Sequence, residues 1–339
     1  MKTLLIGASG HVGTNLTRLL LDQGREVRVL LHSHDESLQG LDVERFHGDV
    51  LKPETLKPAL EGVSIVHHLA AKIAIAGEDH EMMFRINVEG VKNVVNACLE
   101  AGIQRLVHYS SIHALSYMPK SDAINEDRTL ALTDQHLGYD QSKALGEQEV
   151  LKGIERGLDA VILNPVGIIG PYDFEPSPTG EMLLQMVHRE LPGLVASGFY
   201  WVDIRDVAQA AIAAETRGRC GERYILSSEY GPIPKLAKLV HTHTGSRPPL
   251  MTSPLWLAKL VAPFAVLWSR LTGRRPLFTP ESIQILECHQ SIDTDKAARE
   301  LGFVARPLED TIRDSLQWFA DNGRFQRPTL LTTGSDKTA

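Results

Sequence analysis

The sequence predicts an α/β protein built around a doubly wound parallel β-sheet. Short apolar runs alternate with longer helical patterns over the first 170 residues, a glycine-rich turn follows the first apolar run, and the alternation fails after Pro165. Because parallel strands are joined by crossover helices, this alternation is typical of βαβ units. Its failure indicates that a different architecture begins there.

The individual elements follow from the period of the apolar residues. Apolar runs predict strands at residues 3–6, 26–31, 43–46, 64–69, 106–109 and 160–163. Apolar residues spaced for one helical face predict helices at 12–22, 82–101 and 139–156. A strand and helix at 201–214 and a strand at 222–226 indicate that the chain returns to the sheet.

A proline-rich stretch at 170–180 marks the point where the chain leaves the first domain. We expect that domain at residues 1–170, rejoined by about 199–230. A smaller, discontinuous C-terminal substrate lobe is expected at 171–198 and 231–327. The polar segment at 328–339 is predicted to be a disordered tail.

Composition excludes several classes of protein. The formal net charge of -7 provides no basic stripe for nucleic acid. Cys98, Cys220 and Cys288 have neither disulfide-framework nor zinc-site spacing, which predicts reduced thiols in a cytoplasmic protein. The 14 histidines show no ligand spacing, so we expect no metal site.

One apolar stretch, residues 255–271, raises the question of a membrane. Lys259, Pro263 and Arg270 interrupt it, and it is too short to span a bilayer. A lobe helix buried against the sheet domain or a partner subunit is the favoured interpretation. Contact with a membrane surface stays open as the alternative.

The glycine-rich turn carries the first functional signal. Gly7, Gly10 and Gly13 lie between the first strand and the first helix, which is the context of a dinucleotide fingerprint. Glycines let the backbone approach a pyrophosphate, whose charge the amides and dipole of the helix N-terminus stabilise. The alternative is a plain turn without a ligand.

Tyr139 and Lys143 form a Tyr-xxx-Lys pair at the start of a predicted helix. The four-residue spacing puts both side chains on one helical face. We expect the ammonium of Lys143, together with a bound nicotinamide, to lower the pKa of the phenol, so that Tyr139 exchanges protons with a substrate.

The spacing Gly-xx-Gly-xx-Gly, followed by this pair, resembles the extended short-chain dehydrogenases/reductases. The resemblance covers residues 1 to about 325 and implies a Rossmann domain that binds NAD or NADP. It also implies catalytic roles for Ser111, Tyr139 and Lys143. The residues implied to bind the cofactor are Gly7, Ser9, Gly10, His11, Val12, Gly13, Asp49, Val50, Leu69, Ala70, Ala71, Tyr139, Lys143, Pro165 and Val166.

The choice between NADP and NAD depends on the end of the second strand. An acid there would bind the adenosine ribose, and a basic residue would bind a 2'-phosphate. The chain has His32 and Ser33, which could both bond a phosphate. We therefore favour NADP over NAD.

The substrate site is expected between Ser111 and the loop that follows the sixth strand. By resemblance, Ser111 polarises the substrate oxygen; the alternative is that the two serines cap the following turn, which fits Ser110 at least as well as catalysis does. Asn87 is expected to make a structural bond to the backbone. The residues predicted to contact substrate are Ser111, His113, Tyr139, Asn164 and Gly167, although His113 is a lone histidine of the kind more often structural.

The sequence resembles dihydroflavonol-reductase-like and hopanoid-associated sugar-epimerase-like proteins within the family. Nucleotide-sugar epimerases usually place an arginine where this chain has Phe199, and Arg205 departs from both groups. Neighbouring residues Tyr200, Trp201, Leu255, Trp256 and Leu257 are also apolar or aromatic, which favours an apolar or aromatic carbonyl substrate.

Reduction of a ketone or aldehyde is therefore the leading hypothesis. An NAD-dependent sugar epimerase or dehydratase is the first alternative, and a catalytically silent NADP-binding sensor or scaffold is the second. The resemblance also predicts a homodimer paired through the helices at 82–101 and 139–156.

Overall fold

Seven parallel strands form the central sheet of the protein, in the order β10-β6-β5-β4-β1-β2-β3. The computed structural model describes residues 1–32, 35–73, 79–257, 259–260 and 291–326. The strands of this sheet are β1 (Lys2–Ile6), β2 (Glu26–Leu31), β3 (Glu44–His47), β4 (Ile65–His68), β5 (Arg105–Tyr109), β6 (Ala160–Pro165) and β10 (Arg223–Leu226). The predicted Rossmann architecture is confirmed.

Helices connect these strands and cover both faces of the sheet. They are α1 (His11–Asp22), α2 (Lys57–Leu60), α3 (His80–Phe84), α4 (Val91–Glu100), α5 (Gly138–Glu155) and α7 (Ile204–Arg217). Short 3-10 turns lie at Glu36–Leu38, Pro53–Thr55 and Ile112–Ala114. The helix predicted at 82–101 is interrupted by a π-helical segment at Arg85–Gly90, a distortion that is frequent near functional sites.

The order of the strands fixes where a ligand can bind. From β1 the chain moves outward to β2 and β3, and then returns past β1 to β4 and on to β5 and β6. This reversal opens a crevice at the carboxyl ends of β1 and β4. The glycine turn follows β1, and the loop at Leu69–Ala71 follows β4, so both lie at this crevice.

Alternating side chains of the strands supply two cores. Leu5 points into the core beneath α1 and α7, whereas Leu4 and Ile6 point into the core beneath α4 and α5. All three side chains are almost completely buried. Burial of a leucine or isoleucine side chain stabilises a fold by about 2 kcal/mol, so a strand that is apolar on both faces anchors the sheet.

A second lobe follows β6. Its strands are β7 (Gly167–Ile169), β8 (Leu194–Val195), β9 (Gly198–Asp203), β11 (Tyr230–Pro232) and β12 (Thr252–Ser253), and its helices are α6 (Pro178–His188), α8 (Ile233–Thr244) and α10 (Leu308–Asp321). β7, β9 and β11 form a three-stranded sheet, and β8 pairs with β12. These elements enclose a third core, which includes Trp201, Leu236, Ile312 and Phe319.

The chain crosses between the two lobes more often than the predicted boundaries indicate. The helix α9 (Asp295–Leu301) lies within the stretch predicted for the substrate lobe. Its Ala297 and Leu301 are nevertheless buried in the same core as Leu5 and Leu16 beneath the central sheet. Sequence order alone could not indicate this, because both cores use the same kinds of apolar residue.

Several predictions lie partly or wholly outside the described residues. Ser33, the tail at 328–339 and most of the apolar stretch 255–271 belong to this group. Within the described part of that stretch, the side chain of Trp256 is exposed and Leu255 packs against the core of the lobe. Among the described residues, no helix is both long and apolar enough to cross a membrane.

Candidate active site

The glycine turn after β1 has the geometry of a cradle for a pyrophosphate. Gly7 has φ of 93°, and a Cβ atom added there would lie 2.6 Å from the backbone nitrogen of Ala70. A Cβ on Gly13 would collide with the carbonyl oxygen of Gly7. Helix α1 begins after Gly10 without a side-chain cap or an acidic residue in its first turn. Its first amides are therefore free for an anion, and the turn fits a dinucleotide cofactor.

The side chain of His11, a residue implied to bind the cofactor, makes its polar contacts with the start of the substrate lobe. The imidazole Nε2 lies 3.2 Å from the carbonyl oxygen of Gly170 and 3.0 Å from that of Pro171. Burial lowers the pKa of His11, and the carboxylate of Asp173, 3.7 Å from Nδ1, opposes this effect. The side chain thus ties the glycine turn to the start of the substrate lobe, which leaves its backbone as the part that faces the cradle.

Ser9 and Val12 hold the turn in place, and Leu69 and Ala70 form the opposite wall. The carbonyl oxygen of Ser9 accepts a hydrogen bond from the Ser37 hydroxyl at 3.0 Å, and Val12 packs against the core beneath α1. Leu69 and Ala70 both donate backbone hydrogen bonds to the Ile6 carbonyl oxygen, at 2.8 and 3.0 Å. These bonds fix the wall of the crevice opposite the turn.

His32 and Asp49 meet where β2 and β3 end. His32 Nε2 lies 3.8 Å from Asp49 Oδ2, and the His32 side chain is 72% exposed. The other Asp49 oxygen, Oδ1, accepts a hydrogen bond from the Leu51 amide at 2.9 Å. Val50 is buried beneath Gly90. The imidazole is therefore exposed at the adenosine end of the crevice, whereas Val50 supports the backbone there.

The wall at the end of β4 continues to Asn87 in the π-helical segment. Asn87 accepts a hydrogen bond from the Lys72 amide at 2.8 Å and donates to the Lys72 carbonyl oxygen at 2.9 Å. It also donates to the Ser142 hydroxyl at 3.0 Å. The expected structural bond to the backbone is confirmed, and it joins the loop beyond the exposed Ala71 to helix α5.

Ser111, Tyr139 and Lys143 converge at the carboxyl end of β5. Lys143 Nζ donates a hydrogen bond to the Tyr109 carbonyl oxygen at 2.9 Å. Burial raises the pKa of Tyr139 to about 12, although a hydrogen bond with Ser111 opposes this effect. Burial also lowers the pKa of Lys143 to about 8, and the carboxylate of Glu147 opposes that change.

The Tyr139 pKa is not lowered by the neighbouring Lys143 in the protein without a bound nicotinamide. Burial disfavours the charged phenolate, and this desolvation has a larger effect on the Tyr139 pKa than the neighbouring groups have. At neutral pH the phenol therefore carries its proton. This is the form of the side chain that can donate a proton to a substrate oxygen.

Ser111 is fixed by its surroundings. Its hydroxyl oxygen caps the turn Ile112–Ala114 by accepting the His113 amide at 3.3 Å. The buried Ser110 hydroxyl has no hydrogen-bond partner among the described residues, so the capping alternative holds for Ser111 and not for Ser110. The Ser111 carbonyl oxygen accepts a hydrogen bond from Asn164 at 2.9 Å.

Asn164 is completely buried and supports the site from behind. Its amide nitrogen also donates to Glu147 Oε1 at 2.5 Å, and Glu147 Oε2 accepts a bond from Arg223 at 2.7 Å. Asn164 was predicted to contact substrate, but this geometry uses its donor inside the protein. Glu147 and Arg223 were not singled out, although Glu147 lies four residues after Lys143, a spacing that places it on the same face.

The loop after β6 packs tightly. Pro165 pairs with Leu226 in the sheet, and Val166 is buried in the core beneath α1. At Gly167, an added Cβ would lie 2.9 Å from the Trp201 ring. The glycine is therefore needed for contact with Trp201, which is a local reason for its presence in addition to any contact with substrate.

His113 lies beside Tyr139. The centroids of the two rings are 5.8 Å apart in an edge-on arrangement, and His113 Nδ1 lies 3.2 Å from Asp140 Oδ1. The side chain of His113 is 31% exposed, whereas that of Asp140 is buried. The structure therefore brings His113 together with Tyr139, and adds Asp140, which the sequence did not indicate.

Phe199 and Arg205, the two positions at which this chain departs from related epimerases, both make contacts inside the protein. Phe199 packs edge-on against Trp201, whose indole nitrogen donates to the Gly231 carbonyl oxygen at 2.9 Å. Both belong to the core of the lobe. Arg205 is held by Asp203 and Asp314, at 2.6 and 2.8 Å. The departures at positions 199 and 205 thus serve packing and an ion-pair network.

Similarity to known proteins extends over nearly the whole chain. The model of the 3-beta hydroxysteroid dehydrogenase/isomerase family matches residues 4–217. Sterol demethylase protein B of Methylococcus capsulatus is 34% identical over 95% of this chain and 99% of its own length. A candidate dihydroflavonol 4-reductase of Synechocystis is 34% identical over 94% of each chain.

Solved structures share the fold. A nucleoside-diphosphate-sugar epimerase from Pseudomonas aeruginosa has a TM-score of 0.79 at 23% identity, covering 96% of this chain and 99% of its own. UDP-glucuronic acid 4-epimerase from Bacillus cereus, solved in complex with NAD, has a TM-score of 0.74 at 19% identity, covering 95% and 97%. At these identities the likeness establishes the architecture of both lobes.

Proposed function

We propose that this chain, which belongs to the 3-beta hydroxysteroid dehydrogenase/isomerase family, reduces a ketone or aldehyde with Tyr139 as the acid. Through that family it belongs to the extended short-chain dehydrogenases/reductases, which use NAD(P) for oxidoreduction. In the reverse direction it would oxidise the corresponding alcohol, with Tyr139 as the base. The observation that carries the proposal is the convergence of Ser111, Tyr139 and Lys143 beside a turn that fits a dinucleotide.

The chain's own residues supply the positions for the reaction. A bound nicotinamide would supply or accept the hydride. The turn from Gly7 to Gly13 would hold the pyrophosphate through free backbone amides, and His32 would face the adenosine end. The 72% exposure of the His32 side chain leaves room for a 2'-phosphate and supports the preference for NADP over NAD.

The protein handles the proton through Tyr139. The protonated phenol donates to the substrate oxygen as negative charge develops there, and the Ser111 hydroxyl donates a second hydrogen bond to the same oxygen. Lys143, buried and bonded to the Tyr109 carbonyl oxygen, holds a positive charge near the phenol and stabilises the phenolate that donation leaves. Water restores the proton to Tyr139 after the product leaves.

An apolar or aromatic substrate is supported by the absence of a diphosphate-binding group at position 199. Phe199 lies in the core of the lobe and Arg205 is held by two carboxylates, so neither supplies the free guanidinium that would grip a diphosphate. Several aromatic residues first linked to the substrate, Trp201 among them, serve the core instead. The described residues thus favour a carbonyl compound without a nucleotide.

The test is turnover of NADPH with a panel of apolar and aromatic ketones and aldehydes, by the protein and its Tyr139→Phe variant. Loss of the phenol hydroxyl should lower kcat at least 100-fold while NADPH binding is retained. Undiminished turnover by Tyr139→Phe would refute the role of Tyr139. Tightly bound NAD in the purified protein, released only on unfolding, would instead favour an epimerase or dehydratase, and NADPH binding without turnover would favour a sensor.

A further inference from the structure

A buried carboxylate and a half-exposed imidazole lie in the same wall as the proposed acid. Asp140 directly follows Tyr139 and is 3% exposed. His113 follows Ser111 by two residues, and its ring packs edge-on against the Tyr139 ring. The turn Ile112–Ala114 and the first turn of α5 therefore bring an Asp-His pair beside the ring of Tyr139.

Asp140 is fixed from its other side. Its Oδ2 accepts the Leu137 amide at 3.4 Å, in the first turn of α5. Its Oδ1 lies 3.2 Å from His113 Nδ1, but the angle does not complete a hydrogen bond, and no other described residue bonds this oxygen. A buried carboxylate oxygen without a bond is unfavourable. A small rotation of the His113 ring would satisfy it and would fix the proton on Nδ1.

The second ring nitrogen of His113 then has no partner within the described chain. The backbone of His113 is held, since its amide donates to the Ser111 hydroxyl oxygen at 3.3 Å. The side chain of His113 is 31% exposed, whereas the Asp140 side chain beside it is only 5% exposed. A partly exposed imidazole that lies 3.2 Å from a buried carboxylate and packs against the ring of the proposed acid has the arrangement of a polar contact for a ligand.

We propose that His113, oriented by Asp140, binds a second oxygen function of the substrate, a hydroxyl or carboxyl group on a carbon one or two bonds from the reacting carbonyl. Nε2 accepts a hydrogen bond from a hydroxyl when the ring is neutral, and donates one to a carboxylate when the ring is protonated. His113 is thus a residue that determines specificity, and Asp140 positions it. The inference rests on the proposed function, because the oxygen bound at Tyr139 sets the reference point.

The experiment compares three ketones with the same carbon skeleton: the plain ketone, its α-hydroxy derivative and the corresponding 3-oxo acid. The ratio of kcat/KM for each oxygenated ketone to that for the plain ketone is measured with NADPH. We expect the protein to favour one oxygenated compound about tenfold or more, mainly through KM, because one hydrogen bond within a partly buried site has about that effect.

Substitution tests the assignment. His113→Leu should abolish the preference, His113→Gln should retain part of it, and Asp140→Asn, which keeps the shape of the side chain, should reduce it. Tyr139→Phe should lower turnover of all three compounds and leave the ratio as it was. His188→Leu, at an exposed histidine of α6, is the matched control and should leave the ratio intact.

Two outcomes would overturn the inference. The first is a protein that reduces all three ketones with no preference. The second is an unchanged preference in His113→Leu; if that variant fails to unfold cooperatively, an unchanged preference in His113→Gln and Asp140→Asn has the same meaning. Absence of reduction of any ketone would instead refute the proposed function. Which oxygenated compound is favoured distinguishes a hydroxyl from a carboxyl group as the bound function.

Discussion

Glu147 offers the sharpest test of the electrostatics beneath the active site. This carboxylate is completely buried, four residues after Lys143 on α5, and it opposes the effect of burial on the Lys143 pKa. The substitution Glu147→Gln removes the charge and keeps the size of the side chain. We expect it to lower the Lys143 pKa below its present value of about 8.

The size of the effect follows from helix geometry. Residues four apart on a helix have Cβ atoms about 6 Å apart, and at an effective dielectric constant of about 20 two unit charges at that separation interact by roughly 2–3 kcal/mol. A loss of 2 kcal/mol corresponds to more than a tenfold change in the acid dissociation constant of Lys143. Since the proposed reaction requires the protonated lysine, activity should fall at lower pH in Glu147→Gln than in the unaltered protein.

The assay is the pH dependence of kcat/KM between about pH 6 and 10, which reports groups of the free enzyme. The alkaline limb should move at least one pH unit toward lower pH. Glu149→Gln, on the same helix but paired with Lys152 at 2.6 Å, is the matched control and should leave the limb in place. A limb that stays in place or moves to higher pH in Glu147→Gln would refute the reasoning. Thermal unfolding identifies any loss of stability from the Arg223 ion pair.

Three further predictions follow from the same structure. Lys143→Met should abolish turnover yet stabilise the protein below about pH 8 by up to about 3 kcal/mol, because the lysine pKa is lowered on folding and the charged lysine therefore disfavours the fold while it is protonated in both the folded and the unfolded state. This gain in stability should vanish by about pH 10.5, and urea titrations at pH 7 and pH 10.5 that find the same stability difference between variant and unaltered protein would contradict the prediction. Gly7→Ala should weaken NADPH binding at least tenfold in a fluorescence titration, because a φ of 93° is strained for alanine and the added methyl group would collide with the Ala70 backbone. Unaltered binding would show that the turn does not form the cofactor site. His32→Asp should shift preference from NADPH toward NADH at least tenfold, by repulsion of a 2'-phosphate, and an unchanged ratio of the two dissociation constants would remove His32 from the adenosine site.

The sequence was most informative where one local signal determines the structure. The apolar run at 26–31 became β2 with the same bounds, and Tyr139 and Lys143 lie on one face of α5 as their spacing predicts. Both depend on the period of a single element. The predicted homodimer and the cytoplasmic location depend on more than one chain or element and stay predictions.

Side-chain roles that depend on tertiary contacts were beyond the sequence. His11 lies in the glycine turn but bonds carbonyl oxygens about 160 residues away. Asn164 lies in the loop predicted to line the substrate, yet its amide joins Ser111 to Glu147. In both cases the residue type and the local position were compatible with ligand contact, and only the folded partner decides which polar group the side chain reaches.

Burial links these contacts to the chemistry. The same desolvation raises the pKa of the phenol of Tyr139 and lowers that of the ammonium of Lys143, so it opposes charge on both members of the pair. A site in which the tyrosine acted only as a base would need a lowered tyrosine pKa, so that the phenolate was present at neutral pH. Glu147, through its carboxylate, preserves the positive charge on Lys143 and so supports formation of the phenolate once Tyr139 has given up its proton. The buried network behind the pair therefore sets the pH range in which a protonated phenol and a charged lysine coexist, which is the combination that the proposed carbonyl reduction requires.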